Sequence, residues 1–302
     1  MYDIIGDIHG YCSKLKELLT KLDYKETGGV WKHKNRKAIF VGDYIDRGPE
    51  IKETLDLVKN MVDAGAAIAL MGNHEYNAIA YATQSNDGKY LRAHNSMHIK
   101  QHQATLDQFA GYAGEWQSYL DWFYTLPLFL DLEHLRVVHA CWDENHIAWL
   151  RSNQYFTLNE ALLMASHQKN SRAYHVIEET LKGKEFNIPE EYMWYDKDGN
   201  ARNTNRIKWW VQPSSANYET FLFSCPTALM TEKVPADLVV NIYPADAPPV
   251  FFGHYWLDDQ FPVIQASNVI CLDYSVAKNG ALVAYRWNGE EQVDNKHFVM
   301  VN

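Results

Sequence analysis

Three times in its first third, the chain runs a short apolar segment into a glycine-flanked polar loop and then into an amphipathic helix. Tyr2–Ile5 enters GDIHG, after which Leu15, Leu18, Leu19 and Leu22 recur at helical spacing, with Ser13 placed to cap the helix. Ala38–Val41 enters GDYIDRGP, followed by Ile51, Leu55, Val58 and Val62; Ala66–Met71 enters GNHE. Strand–loop–helix repeated in this way predicts an α/β layer structure, in which ligands gather beyond the carboxyl ends of the strands. Two later motifs repeat the placement: Leu135–Val138 runs into His139, and Val250-Phe-Phe runs through Gly253 into His254.

The five motifs together offer two aspartates (Asp7, Asp43), three histidines (His9, His139, His254) and Asn73. That donor set suits two hard or borderline divalent cations side by side, whose natural chemistry is attack of a metal-bound hydroxide on a phosphate ester. Asp7 and His9 stand at i and i+2, so on an extended segment both side chains reach one cation. Gly6 and Gly10 let the backbone turn around it, and Asp43 can bridge two metals with its two oxygens. Singly, each motif is ordinary turn chemistry; the constellation is carried by all of them occurring in order, each after an apolar run.

Apolar residues make up 47% of the 302 and charged residues 22%, the usage of a globular protein. A net charge of −10 gives no general pull toward nucleic acid or anionic membrane, although bound metals would reverse the sign locally. Cys12, Cys141, Cys225 and Cys271 form no CxxC and read as reduced thiols. With no basic–apolar leader before the first strand and no apolar run long enough to span a bilayer, a cytoplasmic location without membrane attachment is expected.

The spellings GDIHG, GDYIDRGP and GNHE resemble those of the calcineurin-like metallophosphoesterases. They are most similar to the branch that includes serine/threonine phosphoprotein phosphatases and bacterial symmetrical dinucleoside tetraphosphatases. The stretch VICLDYSVAKNGALVAYRW is similar to the tetraphosphatase ending. The resemblance covers roughly residues 1–75, 127–143 and 250–290. It implies an αββα sandwich of two mixed sheets flanked by helices, and two divalent metals, Mn²⁺ first with iron or zinc as alternatives. Asp7, His9 and Asp43 become ligands of one metal; Asp43, Asn73, His139 and His254 become ligands of the other. His74 becomes the general acid for the leaving oxygen, Asp46 its partner, and Arg47 a grip on phosphate oxygens.

The implied activity is hydrolysis of a phosphoester or phosphoanhydride by a hydroxide bridging the metals. A dinucleoside polyphosphate is favoured as substrate over a phosphoprotein, and nucleic acid is disfavoured by the acidic charge. The alternatives are a serine/threonine-type protein phosphatase and, from another class, a non-catalytic metal-binding regulator. The last should have lost a ligand, His74 or Arg47, and none is missing. Two departures touch the substrate side. His139-Ala-Cys141 stands where the phosphatases usually have His-Gly-Gly, and Tyr274-Ser-Val follows Asp273 where the tetraphosphatases commonly have Thr-Gly-Cys.

One domain is expected over residues 1–302, with an inserted cover at about 144–249 that contains a helical region (Leu158–Leu181) and a turn at Asp198-Gly199. A second phosphate-binding arginine is expected there, Arg206 ahead of Arg202. The aromatics Trp194, Tyr195, Trp209, Trp210, Tyr255 and Trp256 either pack this cover or stack on a base, packing being favoured. His94, His98 and His102 share one face if helical; a polar face is the favoured reading, contact with substrate phosphate the lesser. Cys141 reads as a small buried thiol.

Overall fold

The computed structural model describes residues 1–188, 192, 194–195, 201–202, 204–235 and 237–302, the side chains at 194, 195, 201 and 202 excepted. The chain begins with β1 (Tyr2–Ile5), α1 (Cys12–Lys21), a hairpin of β2 (Lys25–Thr27) and β3 (Val30–Lys32), β4 (Lys37–Phe40), α2 (Ile51–Asp63), β5 (Ala67–Ala69) and α3 (Asn73–Ala82). Next come α4 (Ser96–Gln108), α5 (Ala113–Phe123), β6 (Phe129–Leu132), β7 (Leu135–Val138), α6 (Glu144–Ser152), α7 (Glu160–Ser166) and α8 (Arg172–Lys182). The remainder holds β8 (Glu185–Asn187), β9 (Trp194–Tyr195), β10 (Ala201–Arg202), β11 (Thr204–Arg206), α9 (Tyr218–Phe221), β12 (Val250–Phe252), β13 (Val269–Cys271), β14 (Asp273–Tyr274), β15 (Ala281–Trp287) and β16 (Phe298–Val301).

Two mixed sheets result. The first runs β14-β15-β1-β4-β5, with β16 also on β15; β1, β4 and β5 are parallel and β15 is antiparallel to β1. The second runs β13-β12-β7-β6, with β13, β12 and β7 parallel and β6 antiparallel. Period-2 alternation sorts the strand residues into two layers. Ile4, Ile39, Val137, Phe251 and Ile270 meet between the sheets, whereas Ile5, Phe40, Val138, Phe252 and Cys271 join the larger cluster under the helices. Both faces are therefore buried, which is why these strands read as nearly continuous apolar runs. Each fully buried Ile or Phe in the middle layer contributes about 1.5–3 kcal/mol.

The helices follow their predicted stripes. Leu15, Leu18 and Leu19 of α1, and Ile51, Leu55 and Val58 of α2, are buried. Ser13 is not a cap: the helix starts at Cys12, and the Ser13 N–H and hydroxyl both donate to Glu50. The region after Tyr76 is helical but not uniformly polar, because α5 buries Tyr119, Leu120, Trp122 and Phe123. Residues 144–249 pack in two ways. Helices α6–α8 place Ile147, Leu163, Val176 and Leu181 in the main core, while Ile188, Ile207, Phe221 and Leu229 form a separate small apolar cluster. The Asp198-Gly199 turn and the side chains of Trp194, Tyr195 and Arg202 lie outside the described residues. No described helix is long and apolar enough to cross a membrane.

Candidate metal centre and its cleft

Because β1, β4 and β5 are parallel, their carboxyl ends open on one side, and the loops after them are laced together. Asp43 O accepts the N–H groups of Ile8 and His9, Tyr44 O accepts that of Gly10, and His9 O accepts that of Gly48. The second sheet joins at the same place, with Gly253 N–H donating to His139 O. The approach is close enough to require glycine. A Cβ on Gly42, whose φ is +115°, would stand 2.6 Å from Gly72 Cα and 2.8 Å from His139 Nδ1.

Non-glycine residues in the left-handed region gather here: His9 (φ 49°), Asp43 (56°), Asp46 (68°), Arg47 (66°), His254 (76°) and Trp256 (56°). Such conformations cost of order 1 kcal/mol or more each, and a fold retains a cluster of them where side chains must be aimed. They also correct one expectation. The strand ends at Ile5, so Asp7 and His9 are not aligned by extended-chain alternation; the turn at His9 directs its ring instead.

The structure brings Asp7, His9, Asp43, Asn73, His139 and His254 together, all of them buried. Two groups of donor atoms fall within 4.8 Å of one another, His9–Asp43–His74 and Asp43–His139–His254, with Asp43 common to both. Nδ1 of His9 faces Ile45 O at 3.0 Å and Nδ1 of His139 faces Val41 O at 2.9 Å, so both rings turn Nε2 inward. His9 Nε2 lies 3.7 Å from Asp43 Oδ2, and His139 Nε2 lies 3.4 Å from Asp43 Oδ1. Asn73 Oδ1 stands 3.1 Å from His139 Nε2 and 2.6 Å from His254 Nδ1. Asp7 Oδ2 accepts the His254 N–H at 2.9 Å.

Three buried polar atoms of this cluster, Asp7 Oδ1, His9 Nε2 and His254 Nε2, have no hydrogen-bond partner. Leaving them unpaired costs about 1–3 kcal/mol each. A divalent cation would satisfy Asp7 Oδ1 and His9 Nε2, and Asn73 Oδ1, His139 Nε2 and His254 Nδ1 face one another as a second donor set, so the residues fit such ions. The electrostatics agree. Burial, Asp273 and Asp43 push the Asp7 carboxyl well above its usual range, the signature of crowded anions. Burial and the His74 charge push His9 down to about 4, and burial with Arg206 pushes His254 down, which leaves both imidazoles neutral and able to ligate.

His74 differs. Burial alone would lower it, but the Asp43 charge and the Asp46 hydrogen bond outweigh burial and hold it at about 8. Its Nδ1 lies 2.5 Å from Asp46 Oδ2, and its Nε2 faces the cluster, 3.9 Å from Asp43 Oδ2.

Several contributors were not assigned from the sequence. Asp46 also accepts from His102 Nδ1 at 2.8 Å and from the Thr105 hydroxyl at 2.6 Å, so α4 reaches the site from behind. The three histidines do not share a helical face: His94 precedes α4 and stacks between Tyr81 and Tyr90. Glu75 accepts the N–H groups of Asp43 (2.9 Å), Tyr44 (2.8 Å) and Gly72 (3.1 Å), clamping two motif loops. Asp273 accepts the N–H groups of Trp256 and Ser275. A glutamate at the third helical position after a glycine cap was the legible signal for Glu75; His102 and Thr105 gave none beyond their i, i+3 spacing.

Over the cluster opens a cleft of about 970 Å³ whose wall includes Arg47, Arg206, Tyr255 and Trp256. Trp256 stacks 5.4 Å from His9, with Arg47 5.7 Å from the indole centroid, whereas Trp209 is fully buried and donates to Ala140 O. Cys141 is buried and its thiol is pushed well up by that burial. A further donor group, Asp143, His146 and Glu179, already contains a cation, since Lys184 pairs with Asp143.

Parallel strand ends delivering carboxylates and imidazoles to one buried cluster, beneath an arginine-bearing cleft, define a metal-dependent phosphoester hydrolase. The chain belongs to the calcineurin-like phosphoesterase family, whose sequence profile matches residues 2–255. It is 33% identical over 144 residues to the bis(5'-nucleosyl)-tetraphosphatase PrpE [asymmetrical] of Oceanobacillus iheyensis, an alignment covering 46% of this chain and 54% of that one. It is 40% identical over 74 residues to the Bacillus subtilis protein of the same name, covering 24% and 30%. The chain thus matches about half the length, or less, of these curated relatives. A protein serine/threonine phosphatase structure from Saccharomyces cerevisiae is similar over 99% of this chain and 78% of that one, at 13% identity and a TM-score of 0.48.

Proposed function

We propose that this protein hydrolyses phosphoanhydride bonds of dinucleoside polyphosphates with two divalent cations, Mn²⁺ first among them. The observation that carries this reading is the convergence of donor atoms of His9, His139 and His254 on Asp43, with buried, unpartnered atoms on His9 and Asp7 beside them. Asp7, His9 and Asp43 would hold one cation, and Asp43, Asn73, His139 and His254 the other. When bound, such a pair activates water near neutral pH and offsets phosphate charge.

The remaining work falls to the chain's own residues. Asp46 keeps His74 oriented, with Nδ1–H toward the carboxylate and Nε2–H toward the cluster, where it can be given to the leaving oxygen. Arg47 and Arg206 line the cleft and suit non-bridging phosphate oxygens. The part of 144–249 that carries Arg206 acts as a cover, and Trp256, beside the cluster, offers an aromatic face. The relatives' names favour a dinucleoside tetraphosphate substrate, and the word asymmetrical in them favours an off-centre cut, which the branch resemblance in the sequence does not.

The test is Mn²⁺-supplemented turnover of diadenosine tetraphosphate, phosphoserine peptide and para-nitrophenyl phosphate in parallel, with products resolved. ATP plus AMP means an asymmetrical cut, and two ADP a symmetrical one. Preference for the peptide would replace the nucleotide reading with a protein phosphatase. No turnover of any, with two metals bound, would move the assignment to a non-catalytic metal protein.

A further inference from the structure

The cleft is lined by more cations than a single phosphoryl group uses. Besides Arg47 and Arg206, its wall includes Arg92, from the segment before α4, and Lys182, the last residue of α8. Arg92 is held by neutral oxygens: Nη1 donates to Asn77 Oδ1 at 3.1 Å and Nη2 to Gln101 Oε1 at 2.6 Å. Two amides from α3 and α4 thus fix the guanidinium plane without cancelling its charge. Lys182 pairs with Glu178 and lies 5.4 Å from the centroid of Tyr76. Arg206 Nε is buried without a partner.

Arg92, Lys182 and Arg206 line the same cavity. Burial, together with the Arg92 and Arg206 charges, lowers the Lys182 ammonium. The cleft's carboxylates are Asp43 and Asp46 at the cluster and Glu178 and Glu185 on this side, and Glu178 is already engaged by Lys182. Lys182 and Glu178 balance each other, so the excess positive charge on this side comes from Arg92 and Arg206, and a buried setting makes its pull on an anion stronger than it would be in water. An extended polyanion that reaches this wall from the metal cluster meets that charge; a monoester confined to Arg47 and the cluster does not.

We propose that Arg92 and Lys182, continuing from Arg206, form a second anion subsite that holds the phosphates next to the one being hydrolysed. The site is then built for a chain of phosphates and not for a phosphomonoester. The inference rests on the phosphoesterase reading above and deepens it by naming residues that select the substrate class. Asn77 and Gln101 are positioning residues, acting through the Arg92 guanidinium.

The test uses the full chain with Arg92→Gln and Lys182→Gln, and Arg92→Lys as the conservative control. Two readouts are taken with equal Mn²⁺ throughout: the ratio of kcat/KM on diadenosine tetraphosphate to that on para-nitrophenyl phosphate, and calorimetric Kd values for inorganic tripolyphosphate and orthophosphate. Metal chelation by tripolyphosphate is common to all variants and cancels in the comparison. Each glutamine variant should lower the kcat/KM ratio about ten-fold and weaken tripolyphosphate by a similar factor relative to orthophosphate, the size expected for one lost charge-assisted contact. Arg92→Lys should recover part of both losses. Equal loss on both substrates, or unchanged relative affinity for tripolyphosphate, would overturn the subsite and leave the phosphoesterase reading standing. If the wild type hydrolyses neither substrate, the phosphoesterase reading fails, and the tripolyphosphate affinities alone decide the subsite.

Discussion

Asp46→Asn is the substitution that most directly tests how the site holds a proton. The Asp46 carboxylate accepts from His74 Nδ1 (2.5 Å), His102 Nδ1 (2.8 Å) and Thr105 Oγ1 (2.6 Å), and it is almost completely buried. An asparagine has the same shape but only one accepting oxygen, and its NH₂ would face a donor. At least one of the three donors is therefore left without an acceptor, and the remaining bonds lose their anionic partner. Bonds to charged groups contribute about 1.5–3 kcal/mol and neutral ones about 0.5–1.5. Three such exchanges give a stability loss of about 2–4 kcal/mol at neutral pH.

The loss has a defined pH dependence. Burial would raise the Asp46 carboxyl, but the hydrogen bonds from His102 and His74 more than offset it and hold the group below its usual range. A depressed folded pKa contributes stability above the unfolded value of about 3.9, and that contribution fades as pH falls through the folded value. The gap between wild type and variant in urea melts of metal-free protein should thus be full at pH 7 and narrow below about pH 4. Activity should respond to the leaving group. With an alkyl phosphate, which needs protonation of its leaving oxygen, kcat should fall about 10²–10⁴-fold. With para-nitrophenyl phosphate, whose leaving group is stable as an anion, it should fall far less. Equal loss on both, with two metals retained, would refute the role of Asp46 in holding the acid; a gap that widens on acidification would refute the electrostatic account of stability.

Asp43→Asn should reduce bound metal and activity together, because both donor groups share this carboxylate; two metals retained at normal turnover would exclude a bridging role. Arg36→Met should cost about 2–3 kcal/mol in chemical denaturation. Arg36 pairs with the fully buried Asp3, which Arg286 also contacts at 3.2 Å, and donates to Tyr2 O and Trp287 O, so its loss removes one of two cations at the carboxylate and one donor from each carbonyl. Thiol titration of the native protein should find one fast cysteine and, in denaturant, four: Cys12, Cys141 and Cys271 are buried, and Cys225 is partly exposed. Burial raises the Cys225 thiol as well, so its reaction should quicken as pH rises; labelling of Cys141 at a comparable rate would contradict the packing around His139.

The parts of the fold that were legible are those in which a residue's neighbours in sequence decide its environment. Tyr2–Ile5 and Leu135–Val138 are strands with the bounds their patterns predict, because burial on both faces keeps each run apolar but for one residue, Asp3 in the first and Arg136 in the second. Local signals misled where a distant partner took over. Ser13 has the chemistry of a cap, but Glu50 engages it. His94 has helical spacing to His98, but ring stacking with Tyr81 and Tyr90 holds it before the helix begins. The link between His102 and Asp46 spans 56 residues and rests on how α4 lies behind the second motif, which no spacing in the sequence expresses.

The same contrast explains why the site residues were easier to find than their supports. A metal cluster needs particular donors at strand ends, so its requirements are written as short motifs. The supports must instead offset the cost of the cluster, and that cost is spread through the fold. Asp7 and Asp43 stand close together while buried, and Glu75, pushed up to about 7 by burial and Asp43, adds a third carboxyl. Six non-glycine residues around them hold left-handed backbone. Hydrogen bonds from loop N–H groups to Glu75 and Asp273 offset part of this, but the unpartnered atoms on Asp7, His9 and His254 remain. Divalent cations bound by the folded chain would relieve the crowded carboxylates and the unpartnered donors at Asp7 and His9 together. Divalent cations should therefore raise the melting temperature of this protein, and by mass action the rise should keep growing with cation concentration above the Kd.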